Sequence, residues 1–259
     1  MSWSRTYDGA EPVRVNKWLA QSGVCSRREA EELIAAGAVL IDGERVTDVG
    51  RKIAAGQTLV LNERAELGLG AQISVVINKP PGIVSAQPEH GQIPAARLLT
   101  AEHQTGAGIV PSSRASLPPL GRLDQDSRGL LLLSEDGVLA KSIIGPESEI
   151  DKEYVVTVRG MIDRGKIQKL RHGLELDGRQ LKPAKVALVD TQVLRFVLTE
   201  GRNRQIRRMC ELVGLEVVDL VRVRIGPLLL GDLAEGKWRH LSDAERDALV
   251  KFPIAGEGS

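Results

Sequence analysis

Residues 121–129 hold the side chains best placed by type and spacing to do chemistry. They read GRLDQDSRG and are followed by four leucines. Two carboxylates, Asp124 and Asp126, stand two positions apart. A polar, glycine-bounded loop that leads into a buried apolar strand is a typical place for a catalytic residue held by a rigid scaffold. The simpler interpretation of an isolated Asp-x-Asp is a solvated acidic turn, so the loop alone does not establish catalysis.

Two kinds of chemistry could use this pair of carboxylates. Asp124, Asp126, Gly129 and Glu135 partly match the calcium-loop pattern, but Arg128 places a cation where a ligand oxygen is needed, and apolar residues follow it. A calcium loop is therefore excluded, and no other metal site is expected. Glycoside hydrolysis by paired carboxylates stays open, because the second carboxylate could lie elsewhere in the fold.

A second candidate segment, residues 201–210, reads GRNRQIRRMC. Its apolar residues follow the i, i+3, i+4, i+7 spacing of an amphipathic helix; they are Ile206, Met209, Cys210 and Val213. Asn203 is placed to cap this helix and Gly214 to end it. The polar face carries Arg204, Arg207, Arg208 and Glu211. Arg204 and Arg208 should repel each other unless an anion lies between them, which favours a phosphate-binding face over an exposed helix surface paired as Arg207–Glu211.

Composition limits the class of protein. The chain has 259 residues, a net charge of +1 and 42% hydrophobic residues. Any nucleic-acid surface must therefore come from local basic clusters, not from whole-chain charge. Its two cysteines, Cys25 and Cys210, lie outside any C-x-x-C motif, so a reducing compartment is expected. Without a secretory segment or a run of about 20 apolar residues, the protein is expected to be soluble and cytoplasmic, with no membrane partner.

The remaining pattern predicts a small and a large domain. Val15, Trp18 and Leu19 mark a helix, and Ser26-x-x-Glu29 has the spacing of a capping box that opens a second helix. Residues 39–46 predict a tight hairpin around Asp42-Gly43, and residues 58–61 a further strand. Residues 63–70 lack periodicity and are predicted to be a linker. Beyond them, strands predominate with irregularly spaced helices, which indicates an α+β fold. Residues 103–119, rich in Gly, Ser and Pro, are expected to form a surface excursion.

The N-terminal segment resembles an S4-type RNA-binding domain. The resemblance rests on the helix-turn-helix, the SRREAE start of the second helix and the V-x-I-D-G hairpin, which occur in that order between Val13 and Leu61. It implies that Arg14, Lys17, Arg27 and Arg28 face structured RNA. Arg27 and Arg28 occupy the first turn of a helix, where the macrodipole favours acidic side chains. That breach of a local rule is consistent with phosphate binding, although nearby glutamates could also offset it.

The larger segment resembles the pseudouridine synthases of the RsuA/RluB/RluF group. The matching motifs are NKPPG at residues 78–82, GRLD with Asp126-Ser127 and Gly129-Leu130, KEY at 152–154, and GRNRQIRRMC. The resemblance implies a synthase domain with a mixed, mostly antiparallel sheet flanked by helices. It gives domains at 12–62 (S4-like) and 71–251 (synthase), joined by the linker at 63–70. The excursion at 103–119 is longer than the group's usual connection before G-R-L-D.

The resemblance also implies roles for individual residues. Asp124 becomes the essential carboxylate, Tyr154 the aromatic that packs against the target base, and Arg207 the basic partner of the aspartate. Arg122 would fill the stack vacated by a flipped base. Together with the four S4-like cations, the residues expected to bind RNA are Arg122, Arg202, Arg204 and Arg208.

The expected reaction is isomerisation of a uridine in ribosomal RNA, most simply a stem-loop of 23S RNA. It imports no group and changes no redox state, so no cofactor is expected, and the chain has neither a P-loop nor G-x-G-x-x-G. DNA is not an expected partner, and the protein is expected to be a monomer. The alternatives are a 16S or tRNA target, a non-catalytic RNA-binding protein, and a glycosidase or nucleosidase of small molecules. Attack on the base and action at the sugar are both open to the aspartate.

Overall fold

The chain folds into two compact units. The computed structural model describes residues 3–112 and 115–252. One unit comprises Met1–Ile73 with Ser134–Lys141, and the other comprises Ser74–Leu133 with Ser142–Ser259. No helix in the described part of the chain is both long enough and apolar enough to span a bilayer.

The first unit is a small αβ domain. Its elements up to residue 70 are β1 (Ser4–Thr6), β2 (Val13–Arg14), α1 (Val15–Gln21), α2 (Arg27–Ala35), β3 (Val39–Ile41), β4 (Glu44–Arg45), β5 (Lys52–Ile53), β6 (Thr58–Leu61) and α3 (Glu63–Gly70). Four strands form a sheet in the order β1-β6-β3-β4, and β2 pairs with β5.

Local signals in the sequence explain these elements. The hydroxyl of Ser26 accepts from the amide of Glu29, and the Glu29 carboxylate accepts from the amide of Ser26, so the predicted capping box opens α2. Asp42 (φ 49°) and Gly43 (φ 84°) make the turn of the predicted hairpin. One face of α1 buries Val15 and Leu19 completely in the core of this unit.

Residues 63–70 differ from the expectation of an irregular linker, because they form helix α3. The side chain of Asn62 accepts from the amide of Ala65 and caps the helix. Glu63 and Glu66 lie in its first turn, where the helix dipole favours acidic residues. Ala65 is buried in the core of the first unit, so α3 packs as part of that unit.

The second unit contains most of the remaining elements. The elements after residue 70 are β7 (Ser74–Lys79), β8 (Arg128–Ser134), α4 (Gly137–Ile144), β9 (Lys152–Arg159), α5 (Arg164–Arg171), β10 (Glu175–Leu176), β11 (Arg179–Gln180), β12 (Lys185–Asp190), β13 (Val193–Leu198), α6 (Gln205–Leu212), β14 (Glu216–Ile225), β15 (Leu228–Leu229), β16 (Trp238–His240) and α7 (Asp243–Val250).

A single large sheet forms the centre of this unit. Its order is β12-β13-β9-β14-β8-β7-β16, with β15 paired to β14. Strands β8 and β14 run parallel, whereas β12–β13, β13–β9, β9–β14, β14–β15 and β7–β16 are antiparallel. The predicted α+β class with a mixed, mostly antiparallel sheet is therefore confirmed. Residues 130–133 of β8, all leucines, are fully buried, as expected of a central strand.

The register of the sheet brings distant residues into one row. Tyr154 of β9 pairs with Arg222 of β14, and Arg222 pairs in turn with Gly129 of β8. The loop that carries Asp124 ends directly before β8. Hence the sheet places Tyr154 and this loop near each other, although Tyr154 lies 30 positions after Asp124 in the sequence.

The excursion at residues 103–119 is tied to the sheet near its start. The amide of Thr105 donates to the carbonyl of Trp238 at 2.7 Å. Farther along, Nε2 of His240 lies 2.9 Å from the carbonyl oxygen of Ile109. Residues 113 and 114 of this excursion lie outside the described residues.

The start of α7 carries an acid-sensitive ion pair. Both guanidinium Nη atoms of Arg239 donate to the Glu245 carboxylate, at 2.8 and 2.7 Å. These hydrogen bonds, with a further one from the Ser242 amide, lower the pKa of Glu245 to about 2. Its unfolded-state value is about 4.5, so the stabilisation is complete above pH 4.5 and is lost as the pH falls toward 2.

Replacing Glu245 with Gln is therefore expected to remove part of the acid sensitivity of folding. The thermal unfolding midpoint of Glu245→Gln should fall less steeply than wild type between pH 4.5 and 3. Asp243→Asn is the matched control, because it changes the same helix turn at a residue without a side-chain partner among those described. Equal acid sensitivity of wild type and Glu245→Gln would show that this pair does not govern the acid response.

Candidate active site

A cavity of about 330 Å³ opens in the second unit. The loop after β7, the Asp124 loop, strands β9, β13 and β14, and the segment leading into α6 all contribute to its wall. Its lining includes Ser85, Gln92, Arg122, Asp124, Tyr154, Leu198, Arg202, Arg204, Arg207 and Leu220. Its volume lies at the lower end of the range for sites that hold one small ligand or one nucleotide.

Asp124 lies on this wall with its carboxylate partly accessible. About a third of the side chain, 32%, is exposed. Nη1 of Arg204 lies 3.8 Å from one carboxylate oxygen, a distance for an ion pair but too long for a good hydrogen bond. The carboxylate therefore keeps lone pairs available to a reacting molecule.

Asp126 is held far more tightly than Asp124. Arg204 donates to both of its carboxylate oxygens, at 3.1 and 3.0 Å, and Arg207 lies 3.3 Å from one of them. Partial burial opposes ionisation of Asp126, but the hydrogen bonds from Arg204 and the charge of Arg207 outweigh it and lower its pKa. Asp126 is thus a fixed anion that orients the arginines, and Asp124 is the carboxylate left free for chemistry.

Arg207 differs from the role inferred from resemblance. It donates to the backbone carbonyls of Asp126 at 3.0 Å and Val217 at 3.3 Å, and its ion pair is with Asp126. Among the described residues, Arg204 is the cation within 4 Å of the Asp124 carboxylate. Arg204 takes a left-handed conformation (φ 49°) immediately before α6, whereas the Arg207 side chain is only 9% exposed.

The start of α6 also differs from the prediction that Asn203 caps it. The capping position is Arg204, which makes no side-chain cap hydrogen bond. The side-chain oxygen of Gln205 instead accepts from the amide of Arg202 at 2.9 Å, which fixes the turn that precedes the helix. The predicted stop was correct: Gly214 follows the helix with φ 69°.

Two further arginines have protein partners that the sequence did not reveal. Arg208 donates to both carboxylate oxygens of Asp177, at 2.9 and 2.6 Å. Arg202 donates to the carbonyls of Leu176, Arg179 and Gln180 and holds the hairpin β10–β11. Arg204 and Arg208 therefore each have a protein carboxylate, and their proximity does not require an external anion as the sequence had suggested.

Tyr154 also lines this cavity. It is 9% exposed and lies between Phe196 and Arg222 in the sheet register. Within residues 3–112 and 115–252, its phenol oxygen has no hydrogen-bond partner. Arg122 is exposed at the cavity edge and, within the same ranges, its guanidinium has no ion pair. The structure thus brings together Asp124, Tyr154, Arg122, Arg204 and Arg207 around one cavity.

The four cations predicted on the first unit are all exposed. Arg14 precedes α1, Lys17 lies on α1, and Arg27 and Arg28 begin α2. In the part of the chain that the structure describes, none of the four side chains has a carboxylate partner. They are unneutralised charges on α1, on α2 and on the residue before α1, all within one unit. Among the described residues, no cluster of three or more His, Cys, Asp or Glu side chains is arranged to hold a metal ion.

Sequence reasoning missed three buried polar residues beside the Asp124 loop. Ser85 had no signal at all in the sequence. Lys79 lies in the NKPPG motif and Arg222 in β14, but neither the motif nor the strand pattern indicates a contact with the Asp124 loop. All three are at most 5% exposed.

Matches to family models identify the chain as an RNA-modifying isomerase that also carries an RNA-binding domain. The family model described as RNA pseudouridylate synthase matches residues 73–212, and the S4 domain model matches residues 13–59. The chain belongs to the RNA pseudouridylate synthase family and carries an N-terminal S4 domain.

Curated relatives cover nearly the whole chain. The dual-specificity RNA pseudouridine synthase RluF of Salmonella typhi is 37% identical over 95% of this chain and 81% of its own length. The ribosomal large subunit pseudouridine synthase B of Bacillus subtilis is 35% identical over 90% of this chain and 93% of its own. A crystal structure of a pseudouridylate synthase superposes with a TM-score of 0.61 at 26% identity, over 92% of this chain and 99% of the other.

Proposed function

We propose that this protein converts a specific uridine of large-subunit ribosomal RNA to pseudouridine in the cytoplasm, with Asp124 as the essential carboxylate. The observation that carries the proposal is one cavity that is lined both by Tyr154 and by Asp124, the less engaged carboxylate of the GRLDQD loop. The relative from Bacillus subtilis, named for the ribosomal large subunit, supports the choice of RNA.

The reaction needs little besides this carboxylate. The bond from ribose C1′ to uracil N1 breaks, the base rotates, and C1′ joins to C5; the proton on C5 is lost and N1 gains one. A carboxylate can act by attacking covalently, at C6 of the base or at C1′, or by stabilising positive charge at the sugar. The guanidinium of Arg204, 3.8 Å from the Asp124 carboxylate, attracts and orients it.

The target base must leave its helix to reach Asp124. The reacting bond is inaccessible inside stacked RNA, so the uridine is flipped into the cavity. The guanidinium of Arg122, which has no ion pair among the described residues, occupies the vacated place in the stack, since Arg packs well on base faces. Arg14, Lys17, Arg27 and Arg28 bind the RNA backbone through the S4 domain. Arg204 and Arg208 contribute to RNA binding only where phosphate competes with their carboxylate partners.

Tyr154 is proposed to pack against the flipped uracil and to assist removal of the C5 proton. Its phenol has no protein partner among the described residues and is free to contact a base. Tyr154→Phe is expected to lower kcat about 100-fold, which is the lower end of the range of rate effects for a general base. RNA affinity is expected to stay unchanged. Single-turnover assays on a stem-loop transcript measure both. A kcat within a few-fold of wild type would leave Tyr154 only its packing role.

The proposed function is tested directly on purified components. The protein is incubated with transcripts of large-subunit RNA, small-subunit RNA and tRNA, and with free uridine, and pseudouridine is then mapped. We expect one site in large-subunit RNA and no reaction of free uridine. A site found only in small-subunit RNA or tRNA would mean that this RNA is the substrate. Turnover of free uridine would instead favour an enzyme that acts on nucleosides.

A further inference from the structure

Three buried polar side chains hold the backbone on both sides of Asp124. They come from separate places in the sequence: Lys79 at the end of β7, Ser85 in the loop that follows, and Arg222 in β14. Each is directed at main-chain groups of residues 121–125, and none of the three is more than 5% exposed. Buried polar groups of this kind are costly unless fully bonded, so what they bond to is informative.

Ser85 fixes the residue directly before Asp124. Its hydroxyl donates to the carbonyl of Leu123 at 2.7 Å and accepts from the amide of the same residue at 2.8 Å. One side chain thereby satisfies both main-chain groups of Leu123, much as a neighbouring strand would. Leu123 itself is 6% exposed, so its backbone has little other freedom.

Lys79 fixes the residue directly after Asp124. Its ammonium donates to the carbonyls of Pro80 at 2.8 Å, Ile83 at 2.7 Å and Gln125 at 3.4 Å. Three N–H donors meet three acceptors, which uses the full capacity of the charged form. The amide of Gly82 also donates to the Gln125 carbonyl, at 2.8 Å. The Gln125 carbonyl therefore accepts two hydrogen bonds, one from Lys79 and one from Gly82.

Arg222 fixes the start of the Asp124 loop. Its guanidinium donates to the carbonyls of Leu130 at 2.7 Å, Gly121 at 2.9 Å and Arg122 at 3.5 Å. A Cβ on Gly129 would collide with the carbonyl oxygen of Arg222. Strands β8 and β14 can therefore approach this closely only because residue 129 is glycine. Arg222 is 1% exposed and has no carboxylate partner in the described part of the chain.

We propose that Ser85, Lys79 and Arg222 are positioning residues that set the Asp124 carboxylate relative to the cavity. The inference rests on the proposed role of Asp124. An apolar core would stabilise the fold without the desolvation cost of two buried cations, so their presence here is explained by the geometry that they impose. Shifts of about 1 Å in a reacting group can cost roughly 100-fold in rate.

The charge of Lys79 makes the proposal testable by pH. Burial lowers the pKa of Lys79 to about 8, against the opposing charges of Asp126, Asp124 and Glu235, while Arg222 lowers it further. The neutral amine keeps only two N–H donors, so one of the three carbonyls loses its bond. The weakest of the three hydrogen bonds, at 3.4 Å, is the one to Gln125. Deprotonation therefore loosens the catalytic loop first.

The same titration does not destabilise the fold. Between pH 8 and about 10.5 the unfolded chain still binds the proton that folded Lys79 has lost. By linkage, this group makes folding more favourable as the pH rises through that window. A fall in kcat above pH 8 is therefore not a sign of unfolding through Lys79.

The first experiment compares Ser85→Ala with Ser85→Thr. We expect Ser85→Ala to lower kcat 10- to 100-fold with RNA affinity within a few-fold of wild type, because misplacement of Asp124 affects the reaction and not the binding. Ser85→Thr keeps the hydroxyl and should restore most of the activity. Equal kcat for wild type and Ser85→Ala, or an affinity loss that accounts for the whole effect, would overturn the proposal.

The second experiment compares pH profiles of kcat from pH 6.5 to 9 in wild type, Lys79→Met and Lys152→Met. Lys152 is the matched control, since burial also lowers its pKa to about 8 but its ammonium contacts the carbonyls of Ile143 and Ile150. We expect an alkaline fall in wild type and Lys152→Met, and a lower, flat profile in Lys79→Met. A fall that persists in Lys79→Met or disappears in Lys152→Met would contradict the assignment.

Asp124→Asn is measured beside these variants. An inactive Asp124→Asn with a fully active Ser85→Ala would refute the positioning role and leave the proposed function intact. An active Asp124→Asn would refute both, since nothing would then need to be positioned.

Discussion

Asp124→Asn is expected to form no detectable pseudouridine, a loss on the order of 10⁴-fold or more, as when an enzyme loses a key carboxylate. Asparagine can neither attack as a nucleophile nor offset positive charge at the sugar. The fold should be unaffected, because the side chain is 32% exposed and its one ion pair within 4 Å, among the described residues, spans 3.8 Å. RNA affinity should stay within a few-fold of wild type.

Asp126→Asn is the matched control for this variant. It makes the same chemical change two residues away, and it removes the anion that both Arg204 and Arg207 bind. We expect reduced stability and slower turnover but measurable product, since Asp124 remains. Single-turnover assays at saturating RNA, with binding measured separately, distinguish the two variants. Substantial turnover by Asp124→Asn would remove Asp124 from the chemistry.

Neutralising the S4-domain cations is expected to weaken RNA binding and to reduce the dependence of RNA affinity on salt concentration. In the variant Arg14→Gln/Lys17→Gln/Arg27→Gln/Arg28→Gln, the slope of log affinity against log salt should fall by about 3, at roughly 0.7 to 0.9 for each phosphate that is no longer neutralised. The four side chains are exposed and lack carboxylate partners in the described ranges, so the fold should tolerate their replacement. At saturating RNA, kcat should be unchanged.

The control for this prediction is a pair of cations from the same unit. Arg5→Gln/Arg64→Gln changes exposed residues of β1 and α3, and it is compared with Arg27→Gln/Arg28→Gln, which removes the same charge. We expect the slope to fall by about 1.5 only in the second pair. Equal slopes in the two pairs would mean that the charge of the S4 domain acts generally and that α1 and α2 are not its RNA-binding face.

Features set by local chemistry were predictable from the sequence. The capping box of Ser26 and Glu29, the Asp42-Gly43 turn and the stop at Gly214 each depend on a few neighbouring residues, and all three are present. Helix α3 was missed because its sequence, ERAELGLG, lacks an apolar stripe. The signal that could have revealed it was the polar cap Asn62 followed by two glutamates in the first turn.

Features set by long-range pairing were not predictable. The carboxylates that hold Arg204 and Arg208 come from Asp126 and Asp177, 78 and 31 residues away in sequence. The meeting of Tyr154 with the Asp124 loop depends on the register of β9 against β14 and of β14 against β8. Resemblance to the family supplied Asp124 and Tyr154 as candidates and named Arg207 as the basic partner of Asp124. In the structure, the arginine beside Asp124 is Arg204.

The most direct test of the central claim is a pseudouridine map of both ribosomal RNAs from cells lacking this gene. The same cells are then restored with wild type or with Asp124→Asn. We predict that one site in large-subunit RNA disappears without the gene and returns only with wild type. Recovery of that site with Asp124→Asn, or ribosomal RNA maps that do not change when the gene is removed, would contradict the claim.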